Sequence, residues 1–232
     1  MPVFVTSSVR RGSVSTRIVR LALADATFSY RAGQSVRIGP AERSERVAYS
    51  IASWPEESDR SGYVEFLIKI EPSGEWGEGF APIRRGSRLD VIGPLGSFMF
   101  PSDPPERHFL FIAGGTGIAP LRSMIRHALE VGQPGRYALL YSARTSSDFA
   151  YLPELRRLAR DRVLELSLTV TRNAAVRWRG GRGRIAISIL EGLITTPETL
   201  CFVCGPASMV DDVPRQLREL GIAQERIRIE EW

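Results

Sequence analysis

The chain has 232 residues, 43% of them hydrophobic, with a net charge of +5, enough to bury one or two cores. Lys69 is the only lysine, so the positive charge is nearly all arginine, scattered among Asp and Glu; this matches no nucleic-acid module and favours an acidic protein partner over DNA. No apolar run approaches the roughly 20 residues of a membrane span, and Met1–Ser8 has no signal-peptide pattern, so a cytoplasmic protein is expected.

Two cysteines cannot build a disulfide framework or a four-cysteine iron–sulfur site. His108 and His127 are not spaced as metal ligands, and no Gly-x-Ser-x-Gly elbow is present, so no metal and no hydrolase chemistry are expected.

From Pro2 to about Phe100 the segments are short, β-rich and separated by turns. Val3–Thr6, Val14–Leu23, Ser35–Ile38, Val47–Ala52, Tyr63–Ile70 and Leu89–Ile92 are predicted strands. No helix competes here beyond a short turn at Phe80 and Ile83. Closing the strands into a six-stranded antiparallel barrel removes exposed edges.

Arg46-Val-Ala-Tyr49-Ser50 places a guanidinium, a phenol and a hydroxyl in one β-segment. Such groups suit a phosphate, a flat ring and a heteroatom respectively. Alternation puts Arg46 and Ser50 on one face, roughly 13 Å apart, about the reach from a flavin ring to its pyrophosphate. Tyr49 points the other way in an ideal strand. An edge strand with solvated polar residues fits the same segment. The loop Glu71-Pro-Ser-Gly74-Glu-Trp76-Gly77-Glu-Gly79 is rich in glycine after a strand, a pattern that brings backbone close to an anion. Pro101–Arg107 reads as a linker, dividing the chain into residues 1–105 and 106–232.

Phe109–Ala113 reads as a buried strand, Pro120 as the first position of a helix, and Leu121, Met124, Ile125 and Leu129 recur at helical spacing. Gly114, Gly115 and Gly117 lie between them, where backbone N–H groups and a helix N-terminus favour phosphate. The motif is Gly-x-Gly-x-x-Pro and meets the dinucleotide fingerprint only in part; a ligand-free glycine turn fits equally. Strands Arg136–Ser142, Val163–Thr171, Leu200–Cys204 and Arg226–Glu230 alternate with helices Pro153–Ala159, Ile185–Leu190 and Ala207–Leu220. The pattern predicts a five-stranded parallel αβα domain whose strand ends face one crevice. Cys201-Phe-Val-Cys204 is not a redox pair, because residues three apart in a strand face opposite ways. Cys201 reads as core; Cys204, before Gly205-Pro206, is expected at the crevice mouth.

Taken in order, Ala32-Gly33-Gln34, Arg46-x-x-Tyr49-Ser50, Gly93-Pro-Leu-Gly96, Gly114-Gly-Thr-Gly-Ile-Ala-Pro120, Cys204-Gly-Pro206 and terminal Glu230-x-Trp232 span nearly the whole chain. The set resembles the ferredoxin–NADP reductase superfamily of flavin oxidoreductases. The resemblance implies an FAD-binding barrel and an NAD(P)H-binding α/β half. Arg46 would hold the flavin pyrophosphate, Tyr49 pack on the isoalloxazine and Ser50 hydrogen-bond near N5, with Val47 beside them. Main chain at Ile68 and Lys69 and the loop of Gly74, Trp76 and Gly77 would complete that site. Thr116 and Gly117 would meet the nicotinamide nucleotide pyrophosphate, with Gly205 and Met209 nearby. Cys204 would lie by the nicotinamide, and Glu230 by the reacting ring edges. Thr171 and Arg172, assisted by Arg144, stand where NADPH-using relatives hold the 2′-phosphate, and Trp232 would stack on the flavin. The loop Gly74-Glu-Trp-Gly77 keeps a backbone donor and lacks the family's frequent hydroxyl. The implied activity passes hydride from NADPH (or NADH) to FAD and then single electrons to a separate acceptor such as a ferredoxin or oxygenase component. A flavin reductase that releases reduced flavin, or an electron-transfer subunit of a larger complex, are the alternatives.

Overall fold

The computed structural model describes residues 3–23, 28–77, 80–172 and 178–231. The first six strands are β1 (Val3–Arg11), β2 (Thr16–Ala22), β3 (Ser35–Pro40), β4 (Val47–Ser50), β5 (Tyr63–Lys69) and β6 (Arg88–Leu95). They form an antiparallel sheet in the order β4-β3-β6-β1-β2-β5. The two edges meet just beyond β4. Ile51 pairs with Phe66, and the Ala52 N–H donates to the Glu65 carbonyl at 2.8 Å. The sheet thereby closes on itself around Val19, Leu21, Val36, Ile38, Val64 and Phe66, all buried.

The second half is a parallel sheet, order β10-β9-β8-β7-β11-β12. Its strands are β7 (His108–Gly114), β8 (Arg136–Ala143), β9 (Glu165–Val170), β10 (Gly181–Arg182), β11 (Leu200–Gly205) and β12 (Ile227–Glu231). Helices α2 (Ile118–Glu130) and α3 (Leu152–Arg160) contribute Leu121, Met124, Leu155 and Leu158 to the core on one face. α4 (Ile187–Glu191) and α5 (Ala207–Glu219) bring Leu190, Val210, Val213 and Leu217 to the core on the other. Strand alternation sorts the side chains: Phe109 and Phe111 face the first core, Leu110 and Ile112 the second. Cys201 and Cys204 likewise fall in opposite cores and are free thiols, as the period of two requires.

The two sheets are joined by packing as well as by chain. Phe100, from the segment after β6, stacks on Phe202 at 5.8 Å and lies 5.3 Å from Phe109. Phe202 is itself stacked on Phe111 at 5.2 Å. Polar bonds cross the same seam. Arg122 Nη1 of α2 donates to the Ala52 carbonyl at 2.7 Å, and Ser123 Oγ donates to the Ser53 carbonyl at 2.6 Å.

Four local expectations change. A helix, α1 (Pro55–Ser61), stands in the barrel half where none was predicted. It buries only Ser58, so it has no apolar stripe to read; Pro55 at its start, Glu56 and Glu57 in its first turn and left-handed Gly62 after its end define it. Phe80–Ile83 forms no helical turn; Phe80 is core, seated against Trp76 at 4.9 Å. Pro120 is the third residue of α2, because a 3₁₀ turn over Gly115–Gly117 leads into a helix that begins at Ile118. The parallel sheet has a sixth strand, two-residue β10, which only its pairing with Thr169 and Val170 makes extended.

Candidate active site

The barrel presents a cleft of about 640 Å³. Val47, Ala48, Tyr49 and Ser50 of β4 form one wall, Lys69, Trp76 and Gly77 another, and Thr116, Ala119 and Glu230 reach in from the parallel half. The Tyr49 hydroxyl donates to the Trp76 carbonyl at 2.7 Å, tying β4 to the loop after β5. Burial raises the Tyr49 pKa, so the phenol remains a protonated donor.

A second cleft, of about 740 Å³, opens at the carboxyl ends of β7, β8 and β9 and beside Pro206, after β11, where open α/β sheets bind ligands. The end of β7 and the 3₁₀ turn that leads into α2 border it through Gly114, Gly115 and Thr116. Gly114 is required by close approach: a Cβ there would lie 2.8 Å from Met209 Cε and 2.9 Å from Pro206 Cδ. Arg144, Arg172 and Arg184 line the outer end, together with Thr171 and Met209. The two carboxylates of this cleft are already engaged. Asp148 accepts from the Thr145 N–H and hydroxyl, and Asp212 pairs with Arg215 at 2.8 Å. The outer end therefore carries an excess of positive charge. The clefts adjoin, with Leu67, Lys69 and Thr116 lining both.

Where the halves meet, Ser50 Oγ donates to Glu230 Oε2 at 3.2 Å, and Cys204 Sγ stands 3.9 Å from the same oxygen. Residues 180 positions apart thus share one contact. Burial pushes the Glu230 carboxyl up to about 7, against the pull of the Ser50 hydroxyl. Burial and the adjacent Glu230 push the Cys204 thiol well up, so it stays protonated.

Several predicted residues lie elsewhere. Arg46 does not line either cleft: its guanidinium turns inward onto Asp90, Nη2 to Oδ2 at 2.5 Å. The Ile68 side chain is fully buried in the barrel core, so the expectation for its main chain involves no side-chain contact. Gly74 makes the left-handed turn of the loop, and Gly117 and Gly205 are buried behind the second cleft. Cys204 is 1% exposed, packed in the core that holds Phe202, and not at the crevice mouth; β11 is an interior strand between β7 and β12, and the Cys204 side chain points into the core that α2 covers. Trp232 lies outside the described residues. Arg184 was missed. It follows the two-residue β10, and Gly181-Arg-Gly-Arg184 in the sequence carries no signal beyond composition.

Residues 4–100 match the family model of the oxidoreductase FAD-binding domain, and residues 111–215 match that of the oxidoreductase NAD-binding domain. The chain is 32% identical over 220 residues to ferredoxin–NADP reductase B of Sorangium cellulosum, covering 88% of this chain and 86% of that one. The chain belongs to the ferredoxin–NADP reductase superfamily. This reductase also resembles methane monooxygenase component C of Methylosinus trichosporium, at 33% identity over 73% of this chain and 50% of that one. Its fold superposes on the ferredoxin–NADP⁺ reductase of Neisseria gonorrhoeae with a TM-score of 0.83, at 20% identity, covering 99% and 98% of the two chains.

It is an FAD-dependent NAD(P)H reductase. The residues present fit both groups. The barrel cleft offers an aromatic wall at Tyr49 and a hydroxyl at Ser50; the second offers the glycine-rich 3₁₀ turn ahead of α2 for a pyrophosphate and three arginines for further phosphate charge. Among the described residues no group of three or more His, Cys, Asp or Glu is placed to hold a metal, and no helix is long and apolar enough to cross a membrane.

Proposed function

We propose that residues 1–105 hold FAD in the barrel cleft and residues 106–232 hold NADPH in the second. On this reading electrons leave one at a time to a separate acidic carrier, a ferredoxin or oxygenase component. The observation that carries this is the adjacency of the two clefts, which share Lys69 and Thr116, with the Ser50–Glu230 contact where the halves meet. A flavin held by Tyr49, Ser50 and the Trp76–Gly77 loop would supply hydride acceptance and single-electron release.

Every other task falls to the chain. Val47, Tyr49 and the Trp76–Gly77 loop position the ring, and Ser50 supplies a donor at the ring's reacting edge when its hydroxyl turns from Glu230. Lys69 and Thr116, shared by both clefts, set the nucleotide against the ring. Glu230, with its raised pKa, holds or yields a proton near neutral pH beside Ser50. Cys204 is a positioning residue, filling the space behind Glu230. Arg144, Thr171, Arg172 and Arg184 take the 2′-phosphate, which favours NADPH over NADH. The net charge of +5 favours an acidic acceptor, and the likeness to a methane monooxygenase component supports an oxygenase-type one.

The test is anaerobic mixing of the flavin-loaded protein with NADPH or NADH. Faster bleaching of the yellow flavin by NADPH, with a saturating concentration that rises in Arg172→Ala and Arg184→Ala, is expected. Equal bleaching by both nucleotides in every variant would remove the 2′-phosphate assignment.

A further inference from the structure

Arg46 occupies a seat that the barrel builds for it. Asp90 of β6 pairs across the sheet with Gly39 of β3, and continuing the β3–β4 register by one residue places Gly39 opposite Arg46. Cross-strand partners share a face, so the three positions form one row. Gly39 has no side chain, and a Cβ there would lie 2.7 Å from Arg46 Cδ and 2.8 Å from its Nη1. The guanidinium fills that gap. Nη2 donates to Asp90 Oδ2 at 2.5 Å, and Nη1 to the Arg43 and Glu45 carbonyls at 2.5 and 2.9 Å. The side chain is 5% exposed and its carboxylate partner 9%. Nε is buried with no partner among the described residues, so the seat satisfies the cation only in part.

The nearby cleft is poor in free positive charge. Lys69 pairs with Glu71 at 3.0 Å, and both Glu71 and Glu75 line the wall. The Gly74–Gly77 loop adds no hydroxyl. A flavin phosphate therefore meets a cation already held by an internal carboxylate.

We propose that Asp90 competes with the flavin phosphate for Arg46, so that the Asp90–Gly39 seat makes flavin weakly held and exchangeable. The proposal rests on the reading of the barrel cleft as the flavin site. Breaking the inner pair precedes capture of phosphate, and the carboxylate sets the affinity from behind the ligand.

The experiment titrates flavin-free protein with FAD, FMN and riboflavin, following flavin fluorescence, for wild type, Asp90→Asn and the double variant Asp90→Asn/Arg46→Gln. Asp90→Asn is expected to tighten FAD and FMN by about tenfold, the worth of one charge-assisted hydrogen bond, and to leave riboflavin, which has no phosphate, unchanged. The gain should vanish in the double variant. Asp90→Ser gives the same reading if Asp90→Asn does not fold. Unchanged or weaker FAD binding in the folded Asp90 variants would overturn the proposal and show Asp90 to be a support for Arg46. An equal gain with riboflavin would also overturn it, since the effect would then not act through phosphate. Failure of all three flavins to bind wild type and variants alike would instead overturn the flavin reading beneath it.

Discussion

Arg122→Met tests whether one buried cation holds the two halves together. Arg122 is 5% exposed and sits on α2 against the barrel. It donates to the Ala52 carbonyl at 2.7 Å, lies 2.9 Å from Glu154 and 3.4 Å from Glu65, and covers the rings of Tyr151 at 4.5 Å and Trp54 at 5.3 Å. Methionine keeps much of the volume and removes the charge. Glu65, 1% exposed, then retains Arg20 at 2.7 Å, while the Ala52 carbonyl loses this donor and Glu154 keeps only Arg126 at 3.6 Å. Removing one member of a buried ion cluster costs about 3–5 kcal/mol, part of it the carboxylates left behind. At about 2–4 °C per kcal/mol for a chain of this size, the melting temperature should fall by about 6–20 °C. Arg126→Met is the control: its long contact and greater exposure predict a loss below about 1 kcal/mol. Calorimetry at fixed flavin concentration reads both, because bound ligand itself raises stability. If Arg122→Met melted within 2 °C of wild type, Arg122 would contribute nothing net to the seam, and the Ser123–Ser53 bond and the phenylalanine contacts would carry it.

The pH dependence follows from Glu230, whose carboxyl sits near 7 in the fold and near 4.5 when unfolded. Because the folded value is raised, its protonated form is the stabilised one; stability from this group is full below about pH 4.5 and lost as pH rises to about 7. Glu230→Gln should flatten that slope in denaturant titrations, and should slow reduction by about 100-fold while removing the limb of the rate profile centred near pH 7. Phe202→Ala, which removes a ring stacked between Phe100 and Phe111, should lose about 3–5 kcal/mol in urea unfolding. Arg184→Ala should raise the KM for NADPH about tenfold with kcat unchanged and leave NADH kinetics as they are, the signature of lost uniform binding to the 2′-phosphate; an equal effect on NADH would place Arg184 elsewhere.

The sequence alone determined the two-part architecture and the order of its parts. Turn residues punctuate the barrel strands, and apolar runs alternate with helical spacing after Phe109, because burial writes periods of 2 and 3.6 into local stretches. The glycine turn before α2 was legible from its own residues, three glycines between an apolar run and a stretch of helical spacing; that Gly114 makes room for Met209 and Pro206 emerged only in the fold. α1 carried its start and stop signals in Pro55, Glu56, Glu57 and Gly62, yet offered no apolar stripe, since Glu56–His127 pairing and the α2 seam dock it rather than a buried face. What only the tertiary structure decided concerns partners far apart in the chain. The contact of Ser50 with Glu230, the arrival of Arg184 beside Arg144 and Arg172, and the turning of Arg46 onto Asp90 over Gly39 each depend on strands that pair across long separations. No local pattern encodes which of several polar groups a buried cation or carboxylate will meet; the register of the closed barrel and the placement of the two halves do.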